Sequence, residues 1–119
     1  MLTKDERVVH AGVLKLRMAR YGETCLIQLE GELDLANADS LERELDAALR
    51  DGNGQVVIDM SELTFIDSTG IALLVTALGK DGGTGRVRFL RSRAAAVTRV
   101  LQLTGVGERL PFADGVEAA

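Results

Sequence analysis

The segment "LTFIDSTGIALLV", residues 63–75, decides the fold because a strand pattern ends in it and a helix pattern begins. Before its centre, "QVVIDM", residues 55–60, is a short apolar and β-branched run that suits a strand covered on both faces. Its centre is the polar stretch Asp67-Ser68-Thr69-Gly70. After that stretch, apolar residues recur at helical spacing at Ile71, Leu74, Val75 and Leu78. The sequence therefore predicts a strand, a polar turn and a helix.

Similar patterns extend in both directions along the chain. Residues 13–34 alternate between apolar and polar on both sides of Tyr21-Gly22-Glu23, which predicts an antiparallel hairpin. Apolar residues at helical spacing within residues 38–49 and 94–104 predict two more helices. "RVRFL", residues 86–90, predicts a further strand, and "RLPF", residues 109–112, predicts a short edge strand. The predicted fold is α/β: a small mixed, mainly parallel open sheet with an N-terminal hairpin and flanking helices.

The length and composition predict one domain with its own core. Apolar residues make up 46% and charged residues 27% of the 119 residues. Residues 1–12 show no periodicity and are interpreted as a loose N-terminus, which leaves residues 13–119 as a single domain. A net charge of −4 and an absence of Trp argue against nucleic-acid binding.

The remaining composition excludes several other classes of protein. There is one cysteine, Cys25, and one histidine, His10, so neither a disulfide framework nor a cluster of metal ligands is expected. No uncharged apolar run approaches the roughly 20 residues needed to cross a bilayer, and the first residues lack the apolar core of a signal peptide. We therefore expect a cytoplasmic protein without membrane insertion.

The polar stretch has a structural and a chemical interpretation. Asp67 or Ser68 is a good N-cap, and Gly70 removes side-chain bulk from the first turn of the helix. A small serine hydrolase using Ser68 is a remote alternative, because "GxSxG" is absent and the only histidine lies in the N-terminal segment. The glycines of "DGGTGR", residues 81–86, precede a strand and fit a turn better than a nucleotide loop.

Three motifs in order point to a known family. "LEGELDLANADSLERELDAAL", "QVVIDMSELTFIDSTGIALLV" and "RVLQLTGV" resemble the STAS domain family of anti-sigma factor antagonists, over about residues 13–112. The fold that this resemblance implies, a small mixed sheet flanked by helices, agrees with the order of elements predicted above.

The resemblance implies roles for individual residues. Ser68 corresponds to the phosphoacceptor of the family's "D-S-[ST]-G" motif, and Asp67 to the acid before it. Asp34, the acid that ends "GELD", is expected near that serine on the partner-binding surface. Thr69 stands where some members carry a second serine, and Gly70 completes the motif. From the helical pattern alone, Leu73 is expected on the exposed side of the helix, as an apolar contact beside the serine.

The implied mechanism is partner switching. The unphosphorylated protein would bind an anti-sigma factor, itself a serine kinase, and free a sigma factor; phosphorylation of Ser68 would release the complex, and a phosphatase would restore it. ATP would belong to the kinase, so this chain is expected to need no cofactor. Alternatively, the domain is a STAS scaffold or regulatory subunit of a stress-signalling or transport complex.

Overall fold

A computed structural model of the protein describes residues 6–113. These residues contain one five-stranded sheet. The strands lie side by side in chain order, from β1 to β5. The pairs β1–β2 and β2–β3 are antiparallel, and β3–β4 and β4–β5 are parallel. Their bounds are Arg7–Ala11 for β1, Leu14–Tyr21 for β2, Thr24–Leu33 for β3, Val56–Ile66 for β4 and Val87–Leu90 for β5.

Three α-helices connect or follow the parallel strands: α1 (Ala38–Arg50), α2 (Ser68–Lys80) and α3 (Ala95–Thr104). The crossovers β3–α1–β4 and β4–α2–β5 advance in the same direction across the sheet. Because such crossovers are right-handed, both helices lie on the same face of the sheet. The buried side chains of α3 join the same core cluster, so within residues 6–113 the other face carries no helix.

This arrangement confirms the predicted mixed α/β fold and corrects one detail of it. The run "QVVIDM" was expected to be covered on both faces, but the helices cover only one. Val56 and Ile58 point into the helix-covered core, whereas Val57 is buried on the opposite face. Its neighbours across the sheet there are Leu26 and Arg88. Side chains on adjacent strands therefore bury Val57 without a second layer of helices.

The prediction of a loose N-terminus is wrong for residues 7–11, which form β1. This strand is mostly exposed and has no regular apolar alternation. It is held by backbone pairing with β2 and by Val9, which packs against the core. The expected edge strand "RLPF" is reduced to one bridge, between Phe112 and Phe89. The rest of the predicted terminus, residues 1–5, lies outside the described residues.

Different contacts position the two ends of α2. The register between β3 and β4 shifts at Gln28/Glu30 and again at Gly31/Glu32, and the last pairs are Glu32 with Phe65 and Leu33 with Ile66. Such bulges change the local twist and the direction of the strand ends. Because β3 and β4 are parallel neighbours that end at paired residues, the chain segments that follow them emerge side by side. At the far end of α2, Lys80 Nζ lies 3.0 Å from Glu42 and 3.1 Å from Asp46 of α1.

The glycine loop after α2 is organised by Asp81. Its carboxylate accepts hydrogen bonds from the backbone N–H groups of Gly83 at 2.9 Å and of Val87 at 3.1 Å. Burial raises the pKa of Asp81, but backbone donors, Val87 first among them, outweigh burial, so the pKa lies below its usual value of 3.8. The loop is therefore a turn closed by a carboxylate.

We expect Asp81 to make stability depend on acid pH. Because its folded-state pKa is lowered, its contribution is present above the unfolded-state pKa of about 3.9 and is lost as the pH falls through the folded-state pKa. Asp81→Asn should lower the free energy of unfolding by about 1 kcal/mol at pH 7 and by less at pH 3. Urea titrations of both proteins at the two pH values measure this. An equal loss at pH 3 and pH 7 would contradict it.

Candidate functional site

The start of α2 settles which residue caps the helix. Asp67 is the N-cap, with φ −102° and ψ −176°, and its Oδ1 accepts a hydrogen bond from the backbone N–H of Gly70 at 2.9 Å. Ser68 is the first residue of the helix and is exposed. Because Asp67 supplies the cap, the hydroxyl of Ser68 is not needed to hold the helix together. Thr69 is half-buried beside it.

The second carboxylate oxygen of Asp67 holds a different segment. Oδ2 accepts a hydrogen bond from the backbone N–H of Leu35 at 3.1 Å, in the loop between β3 and α1. The backbone N–H of Asp67 in turn donates to the carbonyl of Leu33 at 3.1 Å. One carboxylate thus joins the N-terminus of α2 to residues 34–37.

That loop is held from within by Asn37. The side chain of Asn37 is buried; its Oδ1 accepts from the N–H of Asp34 and its Nδ2 donates to the carbonyl of Glu32, both at 2.9 Å. Asp34 Oδ1 accepts from the N–H of Ala36 at 3.0 Å. Asp34 is therefore next to the residue that Asp67 binds, and the structure brings both acids to the end of the sheet where Ser68 lies. Asn37 was missed by the sequence reasoning. An Asn just before an apolar helical stripe predicts the N-cap position that Asn37 occupies, but not the bonds of its side chain to the preceding loop, because that side chain makes no hydrogen bond to the helix.

Gly70 allows the first turn of α2 to pack closely on the strand ends. A Cβ at this position would lie 2.7 Å from Ile66 Cγ1 and 3.1 Å from the carbonyl oxygen of Leu33. Real Cβ atoms do not approach so closely, so any larger residue would push the helix away from β3 and β4. The glycine of the motif thus fixes how far Ser68 stands from the sheet.

The prediction that Leu73 is an exposed contact is wrong. Leu73 is 8% exposed and packs in the core, on a stripe made by Gly70, Leu73, Leu74 and Ala77. The predicted inward stripe began one residue late, at Ile71, and apart from Leu74 its members are only partly buried. Because α2 is apolar at almost every position, its pattern does not fix which side faces the core.

Two exposed apolar side chains that the sequence reasoning missed flank the polar stretch instead. Leu35 is 75% exposed and its N–H is bound by Asp67. Phe65 is 46% exposed and lies two residues before Asp67, at the end of β4. Single exposed apolar side chains are common, but apolar side chains beside a polar rim are typical of protein interfaces. Leu35 could have been noticed as an apolar residue directly after "GELD".

The one histidine of the sequence, His10, is too far from Ser68 to act as the base of a hydrolase. His10 lies on β1, and β2 and β3 separate that strand from β4. At about 4.8 Å between neighbouring strands, this places His10 well beyond hydrogen-bond reach of Ser68. Residues 6–113 contain no group of three or more potential metal ligands. None of the helices in that part of the chain is long and apolar enough to cross a membrane.

A small α/β domain that presents an exposed serine beside carboxylates and apolar side chains has the kind of surface that regulatory binding domains use. Comparison with known proteins makes the assignment specific. A family model described as "Mlab, STAS domain" matches residues 16–112. The chain belongs to the STAS domain family.

Relatives and solved structures agree with this assignment. The anti-sigma-B factor antagonist of Staphylococcus aureus is 23% identical over 91 residues, which cover 76% of this chain and 84% of that protein. An anti-sigma factor antagonist from Mycobacterium paratuberculosis superposes with a TM-score of 0.74 at 22% identity, covering 98% of this chain and 93% of the other. The anti-sigma factor antagonist SpoIIAA in its unphosphorylated form gives a TM-score of 0.64 at 21% identity, with coverage of 95% and 91%. At these identities the structures establish the fold. The prediction of a regulatory protein that is not an enzyme is confirmed, because the relatives are named as antagonists.

Proposed function

We propose that this protein is an anti-sigma factor antagonist that is switched by phosphorylation of Ser68. The observation that carries the proposal is the exposure of Ser68 at the first position of α2, where Asp67 already caps the helix. A modification of this hydroxyl removes no hydrogen bond that the fold uses. The names of the relatives support the partner class, and Bacillus SpoIIAA, a structural neighbour, has also been solved in a phosphorylated form.

The electrostatics of the site suit such a switch. A phosphate adds about −1.5 to −2 charges near neutral pH. At a helix N-terminus the backbone donors and the helix dipole tolerate this charge, so the domain stays folded. Asp67 and Asp34 lie at the same end of the sheet, and a docked partner would have to desolvate the phosphate beside them. Phosphorylation therefore weakens the interface and leaves the fold intact.

The partner that we propose is an anti-sigma factor with serine kinase activity, and a separate phosphatase would reverse the modification. Asp34, Asp67, Ser68 and Thr69 form the proposed contact surface. Gly70, which the motif also suggested, is buried and instead lets α2 pack closely on the strand ends. The kinase would bring its own ATP, so this chain needs no cofactor, and the switch would operate in the cytoplasm. The buried Leu73 is no longer part of this surface.

Partner identification tests this proposal against the scaffold alternative. Native mass spectrometry of the protein after incubation with extract of its own cells should show a complex with a small kinase. Addition of ATP should dissociate that complex and leave one phosphate on Ser68. A complex with a transporter or stress-signalling assembly, with no phosphate on Ser68, would instead favour the scaffold role.

We expect Leu35 to be an apolar anchor of this interface. Leu35→Ser removes an exposed side chain and leaves the N–H bond to Asp67 intact, so it should leave the melting temperature unchanged. Its affinity for the partner kinase should fall about tenfold, because a truncated anchor typically costs 1–2 kcal/mol of binding free energy. Isothermal titration calorimetry measures this. Leu103, 76% exposed on α3, provides the matched control, and an equal loss in Leu103→Ser would contradict a specific role for Leu35.

A further inference from the structure

A groove remote from Ser68 lies between α3 and the chain that follows it. Its volume is about 350 Å³. Its lining includes Leu101 and Phe112, the polar side chains of Thr98 and Gln102 on α3, and the charged side chains of Arg91 and Glu108. None of these residues belongs to the Ser68 site. The groove combines apolar surface with a small number of polar groups, as peptide and ligand sites do.

The guanidinium of Arg91 is held in place at this groove by stacking. Its Cζ lies 3.8 Å from the centroid of the Phe112 ring. That ring packs edge-on against Phe89 with centroids 6.4 Å apart, and Arg88 donates to the carbonyl of Phe112 at 3.0 Å. Stacking leaves the N–H donors of a guanidinium unused, because they lie in its plane. Among residues 6–113, Arg91 has no ion pair within 4.0 Å.

The charge around the groove favours an anionic occupant. The lining of the groove carries one positive side chain, Arg91, and one negative side chain, Glu108. Arg99 and Arg109, which follow Thr98 and Glu108 in the chain, are also exposed. Glu108 is the exception within the lining, and it disfavours a second acidic group beside it. An acidic group of the occupant is therefore directed to Arg91.

The backbone beside the groove suits an extended peptide. The N–H of Phe89 donates to the carbonyl of Pro111 at 3.0 Å, and the N–H of Ala113 donates to the carbonyl of Phe89 at 2.8 Å. In this parallel bridge the backbone N–H of Phe112 points away from β5, whereas its C=O already accepts the hydrogen bond from Arg88. An incoming extended segment can hydrogen-bond to this N–H and place alternate side chains in the adjoining groove.

We propose that this groove, lined by Arg91, Thr98, Leu101, Gln102, Glu108 and Phe112, binds an extended peptide segment of a partner protein. The segment carries an acidic side chain next to an apolar one: the carboxylate pairs with Arg91, and the apolar side chain packs on Leu101 and Phe112. The site is independent of Ser68, so the domain can hold a second partner while the first is exchanged.

Nuclear magnetic resonance titration of the ¹⁵N-labelled full chain tests the proposal. The probe is the peptide acetyl-Ser-Glu-Leu-Thr-Ser-amide, and its counterpart has Lys in place of Glu. The acidic peptide should shift the amide signals of Arg91, Gln102, Gly107 and Phe112 saturably, and the basic peptide should not. Arg91→Gln should weaken binding of the acidic peptide about tenfold, as expected for loss of a charge-assisted pair. Arg91 is exposed, so this variant should stay folded and lower the melting temperature only slightly, through the lost stacking on Phe112.

Arg93 supplies the matched control, since it is 78% exposed, pairs with Glu62 and does not line the groove. An equal loss of affinity in Arg93→Gln would show that only general charge attraction acts, and would overturn the proposal. So would equal binding of the basic peptide, or signal changes confined to residues outside the groove. Small carboxylates are tested with 3-methylbutanoate: binding of this acid without binding of the acidic peptide would also overturn the peptide assignment.

Discussion

Ser68→Glu should bind the proposed anti-sigma factor kinase about 100-fold more weakly than the wild type, equivalent to about 2.7 kcal/mol, with no fall in melting temperature. The added carboxylate stands at the first position of α2, where the helix dipole stabilises negative charge. The same charge is close in sequence to Asp67 and must be desolvated by the partner. Ser68→Ala keeps a small neutral residue, so it should bind like the wild type and resist release by ATP. Calorimetric titration of the three proteins measures these differences.

Ala96→Glu is a suitable control for this experiment. Ala96 is exposed in the first turn of α3, so glutamate there adds the same charge at the same kind of helical position, away from Ser68. Its affinity for the kinase should equal that of the wild type. Equal weakening by Ala96→Glu and Ser68→Glu would attribute the effect to net charge. Equal affinity of Ser68→Ala and Ser68→Glu would mean that the polar stretch only starts a helix.

The structure sharpens what Ser68→Ala should do to stability. Sequence reasoning left open whether Asp67 or Ser68 caps α2, and loss of a cap typically costs about 1 kcal/mol. Since Asp67 is the cap, Ser68→Ala should change the free energy of unfolding by less than about 0.5 kcal/mol, as at other exposed positions. Because the variant should stay as folded as the wild type, a change in how ATP releases its partner can be attributed to the missing hydroxyl and not to unfolded protein.

The elements that the sequence predicts well are those whose patterns are local. Alternation on both sides of a tight turn identified the β2–β3 hairpin, and the transition at Asp67 identified β4 and α2. β1 was missed because its exposed residues carry no pattern, and its stability comes from pairing with β2. Leu73 was misplaced because an apolar helix has no polar face to fix its rotation.

Parts of the site depend on contacts that no local pattern encodes. The bond between Asp67 and the N–H of Leu35 joins residues that are 32 positions apart. It exists only because the ends of β3 and β4 emerge side by side, after register shifts that the sequence does not announce. The same holds for the position of Asp34 next to the residue that Asp67 binds, which the periodicity did not predict. Sequence motifs thus proposed the site residues, and the fold showed which of their groups already make hydrogen bonds.

Asp67 is the residue whose removal should damage both the fold and the site. Asp67→Ala deletes the acceptor for Gly70 at the helix start and the acceptor for Leu35 in the neighbouring loop. A lost cap costs about 1 kcal/mol, and a lost charge-assisted hydrogen bond costs about 1.5 kcal/mol. The free energy of unfolding should therefore fall by about 2–3 kcal/mol, measured by urea denaturation.

Asp67→Asn separates these two functions. Its remaining oxygen can still accept from Gly70, but the amide nitrogen then faces the Leu35 N–H, and two donors cannot bond to each other. We expect a loss of about 1–1.5 kcal/mol, and release of the loop should weaken kinase binding through Leu35. Asp39→Ala, which removes an exposed acid from the first turn of α1, should cost only a few tenths of a kcal/mol. If Asp67→Asn matched the wild type in both stability and affinity, the bond to Leu35 would be dispensable, and the helix cap would account for everything that Asp67 does.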